Sequence, residues 1–175
     1  MNITVYMGSN PGKNPKYREA AQDLGRVIGE GGHALVYGGS DAGLMGVVAD
    51  SVLDAGGTAI GVFPKSLEGV ERKHPGLDKL IYTDTIAQRR AKMIALGDVF
   101  VALPGGPGTL EEISEIISLA RLDHLEGLCA ILNIDGYYGH LKLQFDKMAE
   151  ESFINAEERG RILFIDTVEE LVKLL

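Results

Sequence analysis

Hydrophobic positions along this chain fall into short, nearly continuous apolar runs, separated by longer stretches with helical spacing. Residues 3–7, 34–37, 58–63, 80–83, 99–103, 129–134 and 162–165 have the length and aliphatic content of strands, most of them of strands buried on both faces. Between them, residues 17–29, a stretch closing near Ala55, and residues 85–96, 110–122, 139–150 and 167–175 read as helices. In the fourth of these, Ile113, Ile116, Ile117 and Ala120 share one face. Strands alternating with helices over short links predict an α/β fold, a mostly parallel sheet with helices on both faces. Ligands of such sheets bind at the carboxyl ends of the strands, near a switch point. Loops at residues 8–10, 38–46 and 104–109 fit that edge. With no repeat, linker or low-complexity segment, residues 1–175 are expected to form a single domain.

The stretch around which the rest is organised is residues 99–112, Val-Phe-Val-Ala-Leu-Pro-Gly-Gly-Pro-Gly-Thr-Leu-Glu-Glu. A strand runs into Pro104, Gly105, Gly106, Pro107 and Gly108, and Thr109 is the expected N-cap of the next helix. A strand, a glycine turn and a helix N-terminus make an anion site, because free N–H groups and the positive end of the helix dipole converge there. A capping box is the competing reading, with Thr109 and Glu112 satisfying each other's backbone donors. It explains those two residues but not three glycines and two prolines in five positions. A second glycine turn, beginning at Gly38 and Gly39, opens the helix that closes near Ala55.

Residues 64–79 break the pattern with two prolines, two glycines and a cluster of charges. They read either as a solvated surface loop or as a lid over the site.

The net charge of −8 argues against a nucleic-acid surface, which needs clustered Lys and Arg. A small phosphate ligand held by a few local groups is compatible with it. The one cysteine, Cys129, sits in an apolar run and reads as a buried structural thiol, so no disulfide can form within the chain. The amino-terminal residues lack the basic and apolar regions of a signal peptide, and no run is long enough to span a bilayer. A cytoplasmic protein without membrane partners is expected.

The chemistry narrows by elimination. Gly108 is followed by Thr109-Leu110 and not by the Lys-Ser/Thr of a P-loop, and neither glycine turn has the dinucleotide-binding spacing. The four histidines, His33, His74, His124 and His140, are scattered and offer no metal-ligand spacing. What remains is a phosphate turn with Glu111, Glu112 and Glu115 on the helix behind it. One reading sets Gln88, Arg89 and Arg90 opposite them from the start of the preceding helix, where two arginines oppose the dipole at a cost of a few tenths of a kcal/mol. A solvated basic face accounts for the same cluster equally well.

Arg89-Arg-Ala-Lys-Met93 together with Pro104-Gly-Gly-Pro-Gly-Thr-Leu-Glu-Glu112 resembles the signatures of the LOG ("lonely guy") family of cytokinin-activating phosphoribohydrolases. The likeness extends to the turn at residues 37–46, to Glu71-Arg-Lys-His74 and to Asn133-Ile-Asp-Gly-Tyr-Tyr138. The resemblance implies a three-layer Rossmann-like fold, a homodimer, and hydrolysis of the N-glycosidic bond of a nucleoside 5′-monophosphate without metal or organic cofactor. It implies Arg89 and Glu112 as the catalytic pair, and Gly105, Gly106, Pro107, Gly108 and Thr109 as the phosphate turn. Glu71, Arg90, Glu111, Ser118, Gly38 and Gly39 complete the expected substrate site. The chain departs from the family at Ala87 and Gln88, where His and Glu are usual, and at residues 119–123. A carrier of a phosphorylated ligand such as molybdenum cofactor is the alternative the same fold allows. The lysine decarboxylase label often given to relatives finds no lysine here that stands out as an attachment site for pyridoxal phosphate.

Overall fold

The computed structural model describes residues 1–125 and 127–175. Seven strands, β1 (Asn2–Tyr6), β2 (Ala34–Tyr37), β3 (Thr58–Pro64), β4 (Lys79–Thr83), β5 (Val99–Ala102), β6 (Leu128–Leu132) and β7 (Ile162–Ile165), form one sheet. Its order is β4-β3-β2-β1-β5-β6-β7, and every neighbouring pair is parallel. The helices are α1 (Pro15–Glu30), α2 (Gly43–Asp54), α3 (Ile86–Leu96), α4 (Pro107–Arg121), α5 (Gly139–Glu150), α6 (Ala156–Gly160) and α7 (Val168–Val172).

Alternate strand residues point to opposite faces, so one sheet builds two cores. Ile3, Val5, Leu35, Val99 and Val101 pack with residues of α1, α2 and α7. Tyr6, Val36, Phe100 and Ile131 pack with Met93 of α3, Ile113 and Ile116 of α4 and Phe145 of α5. Each large apolar side chain so buried contributes about 1.5–3 kcal/mol. The result is the expected three-layer fold.

Strands are added outward from β1 in one direction as far as β4, and from β5 in the other, so the switch point lies between β1 and β5. There the two following loops are joined: Gly8 N donates to Pro104 O (3.1 Å) and Leu103 N to Tyr6 O (2.9 Å).

The expected elements differ from the observed ones at their ends. Residues 133 and 134 leave the sheet, because the Asn133 side chain accepts from Tyr138 N (2.7 Å) and Ile134–Gly136 forms a 3-10 turn. The last helix stops at Val172. Helix α6 was not expected; its signal was the capping box of Asn155 and Glu158.

The stretch from 64 to 79 is mostly exposed, as a surface loop would be, but it is tied down. Asp41 N donates to Arg72 O (3.2 Å), His74 N donates to Gly39 O (2.9 Å), and the His74 ring is buried. That anchoring puts the segment against the second glycine turn. Among the described residues no helix is long and apolar enough to cross a membrane.

Candidate active site

The start of α4 corrects the expected cap. Helix α4 begins at Pro107, a residue suited to the first helical position, and Gly106 is the capping residue with no side-chain bond. Thr109 is already inside the helix, and an N-cap requires non-helical backbone angles. Its hydroxyl instead packs against Gly105, where an added Cβ would overlap it. Glu112 does not reach back to cap either. A related arrangement forms at α3, where Thr85 Oγ1 accepts from Gln88 N (3.2 Å) and Gln88 Oε1 accepts from Asp84 N (2.8 Å). Gln88 therefore serves the helix start and not the carboxylates of α4.

Glu112 turns toward the preceding helix. Arg89 Nη2 donates to Glu112 Oε1 at 2.8 Å, with only 16% of the arginine side chain and 10% of the glutamate side chain exposed. Burial raises the Glu112 pKa above the usual carboxylate value, and the pull of Arg89 and Arg90 in the other direction does not cancel it. Among the described residues, Arg89 Nε is buried with no acceptor. Tyr6, at the end of β1, closes the same corner, and burial together with Glu112 holds its phenol neutral.

The pair opens on a cavity of about 480 Å³ at the β1/β5 switch point. Of the residues expected at the site, Gly38, Glu71, Arg89, Gly105, Gly106, Pro107, Gly108, Thr109 and Glu112 line it. Gly106 and Gly108 face open space, since a Cβ at either would meet nothing within 4 Å. A ligand can therefore approach the backbone at the start of α4. The N–H groups of Gly108 and Thr109 have no intrahelical acceptor by the geometry of a helix start. Among the described residues Arg89 is the only cationic one lining the cavity, against Glu71 and Glu112, so an anion here is held chiefly by backbone N–H groups and the helix dipole.

Four expected residues lie elsewhere. Arg90 bridges Glu111 (2.8 Å) and Glu115 (3.0 Å) across α3 and α4, so neither Arg90 nor Glu111 lines the cavity. Gly39 sits behind the turn with φ +79°, close against the backbone of Gly61, a conformation that glycine adopts readily. Ser118 is exposed, donates to Ser114 O (2.8 Å) and borders a separate cavity of about 250 Å³ beside Cys129. Burial pushes the Cys129 thiol up to about 12, leaving it inert.

Sequence reasoning missed five lining residues. Met7, Met45 and Met93 form apolar surface, and Tyr17 and Tyr137 stand edge to face at 5.4 Å on the rim. The Asn133–Tyr138 motif was the available signal for Tyr137. Among the described residues no lysine lines the cavity, so an imine with pyridoxal phosphate has no partner there. Among the described residues, no group of three or more His, Cys, Asp or Glu side chains is placed to hold a metal ion.

Comparison with known proteins gives matches over nearly the whole chain. Residues 45–175 match the family model described as "Possible lysine decarboxylase". The cytokinin riboside 5′-monophosphate phosphoribohydrolase of Rhodococcoides fascians is 40% identical over 169 residues, 96% of this chain and 85% of that protein. The enzyme of the same name, LOG4, of Arabidopsis thaliana is 42% identical over 173 residues, 99% of this chain and 80% of that protein. Among solved structures, the molybdenum cofactor binding protein of Rippkaea orientalis superposes with a TM-score of 0.73 at 24% identity, covering 99% of this chain and 93% of that one. The Moco carrier protein of Chlamydomonas reinhardtii gives 0.74 at 22% identity with the same coverage. At that identity the two structures bear on the fold alone.

Proposed function

This chain belongs to the LOG family, the one covered by the possible lysine decarboxylase model, and on that premise we propose that it is a phosphoribohydrolase. Its reaction is hydrolysis of the N-glycosidic bond of adenosine 5′-monophosphates, including N6-modified ones, to free base and ribose 5-phosphate. The observation that carries this reading is the buried Arg89–Glu112 pair, which faces the same cavity as the α4 N-terminus.

The chemistry follows from that arrangement. The 5′-phosphate sits on the N–H groups at the start of α4. As the C1′–N bond breaks, its electrons leave with the base and positive charge builds on the ribose. The Glu112 carboxylate stabilises that charge and takes a proton from the attacking water. Water supplies the hydroxyl at C1′, and the proton taken by Glu112 passes through solvent to the nitrogen of the departing base, which leaves neutral and returns Glu112 to its carboxylate form. The raised pKa of Glu112 makes it a better base than a solvated glutamate. Arg89 fixes Oε1 and keeps the carboxylate oriented. Glu71, on the anchored 64–79 segment, lines the same cavity, and in this reading it accepts from a ribose hydroxyl.

A carrier of a phosphorylated ligand would need the turn, but it would have no use for a buried carboxylate beside the ribose. A single domain over residues 1–175, a homodimer and a cytoplasmic location are part of the same proposal. The dimer is tested by sedimentation.

The deciding experiment is incubation of the purified protein with AMP and with isopentenyladenosine monophosphate, followed by chromatography for base and ribose 5-phosphate. Release from either substrate supports the enzyme. Nucleotide binding without release from either points to the carrier.

A further inference from the structure

Four consecutive carbonyls run through the turn between β5 and α4, and each already has a donor. Leu103 O accepts from the Tyr138 hydroxyl (2.8 Å) and Gly105 O from the Tyr137 hydroxyl (2.6 Å). Pro104 O accepts from Gly8 N (3.1 Å) and Gly106 O from Leu110 N (3.2 Å). In a planar trans peptide a carbonyl and the next N–H point in opposite directions. A carbonyl held by a donor therefore fixes where the following N–H points. This matters most at the Gly105–Gly106 peptide, because rotation between two glycines meets no Cβ. A flip there would replace an N–H donor with a carbonyl oxygen beside the anion.

The four donors are not alike. Tyr138 is buried, Gly8 N belongs to the switch-point backbone, and Leu110 N makes the first bond of α4. Tyr137 is 43% exposed and stands on the cavity rim. Its ring is held edge to face by Tyr17 (5.4 Å) and Tyr138 (4.8 Å). Its loop is set by Asp135, at φ +53°, whose carboxylate takes Asn14 Nδ2 (2.8 Å) and Lys16 from the start of α1.

We propose that Tyr137 is a positioning residue of the anion site, whose hydroxyl keeps the Gly105 carbonyl turned away so that the Gly106 N–H serves the phosphate. The proposal rests on the reading above, that this turn receives a substrate phosphate.

The test is Tyr137→Phe, which keeps the ring and its aromatic contacts and removes only the donor. Calorimetry gives Kd for ribose 5-phosphate and adenosine in both proteins and for AMP in both carrying Glu112→Gln, which stops turnover, and steady-state kinetics on the proteins with Glu112 intact give KM and kcat for AMP. The expected result is a rise of roughly tenfold in Kd for AMP and ribose 5-phosphate alike, the size of one lost hydrogen bond. KM for AMP rises with it, while adenosine affinity and kcat stay within about twofold, because neither depends on the anion site. Equal weakening of AMP and adenosine overturns the proposal, since Tyr137 is then a wall contact. Unchanged phosphate affinity, or a fall in kcat at constant KM, overturns it too, as does protein with Tyr137 intact that binds AMP no better than adenosine. Selective weakening in a protein that hydrolyses nothing refutes the phosphoribohydrolase reading and leaves the role of Tyr137 standing.

Discussion

Arg89 and Glu112 stand on different helices, and their side chains meet at 2.8 Å in a corner that water barely reaches. Two charges so placed are costly to desolvate, and such a pair is seldom kept for stability alone. Here it is the one carboxylate–cation contact on the cavity wall among the described residues.

Replacing Glu112 with Gln keeps the shape and removes the base. Turnover of AMP is expected to fall by about 10²–10⁴, the usual contribution of general-base catalysis, with Kd for AMP changed less than about threefold. Single-turnover kinetics and calorimetry on the same preparation check both halves. Lost binding with intact folding would contradict the role given to Glu112.

Acidity should act through the same carboxylate. Because its folded pKa is raised, Glu112 takes up a proton at a higher pH than a solvated glutamate would. The acid limb of kcat/KM is therefore expected above the ordinary carboxylate range near 4.3, and activity falls as pH drops through it. A pH–rate profile measures this. A limb at or below the ordinary value would mean that Arg89 outweighs burial.

Arg89→Ala should lose activity and also strand Glu112. Stripping one partner from a buried pair costs up to about 3–5 kcal/mol, less whatever protonation of Glu112 relieves. A raised folded pKa favours the neutral form in the folded state. The variant is thus most stable below the unfolded pKa and loses stability as pH rises through the folded one. Thermal melts at pH 5 and pH 8 should show a larger deficit at the higher value. Adding Glu112→Gln should restore part of it, and no restoration would sink the argument.

His74 anchors the segment that carries Glu71. Gly76 N donates to Nδ1 (3.1 Å), so the ring proton is on Nε2 and is shared with Asp50 Oδ1 (3.0 Å). His74→Ala is expected to cost the segment about 1–3 kcal/mol of local stability. Hydrogen exchange across residues 64–79 should quicken and KM for AMP should rise. Unaltered exchange there would show that the contacts of Arg72 with Asp41 suffice.

Much of this molecule could be read from one dimension. The apolar runs located every strand among the described residues, and most plainly β5 and β6, which are covered on both faces and so carry no polar position. The cluster of glycines and prolines marked the turn, because few backbones tolerate that composition without a reason. The ends of elements were less legible. Asn133 and Ile134 look like strand, and Asn133 N still donates to Ile165 O (2.8 Å), but the bond from Tyr138 N to the Asn133 side chain and the 3-10 turn at Ile134–Gly136 end β6 at Leu132. Thr109 has the residue type of a cap, but the fixed φ of Pro107 starts the helix three residues sooner, with Gly106 as the cap.

The sequence by itself determined the layer order, the glycine- and proline-rich turn before α4 and the candidates Arg89 and Glu112, because those depend on residue type and local spacing. Which charges meet was decided in three dimensions. Arg89 and Arg90 are neighbours in the chain, yet one enters the cavity beside Glu112 and the other bridges Glu111 and Glu115 outside it. Ser118 shares a helix with Glu112 but borders a different cavity. Tyr137 reaches Gly105 only because the β5 and β6 loops leave the sheet side by side. Helix rotation and strand order set these distances, and both are fixed by packing across the whole sheet and not by any one segment.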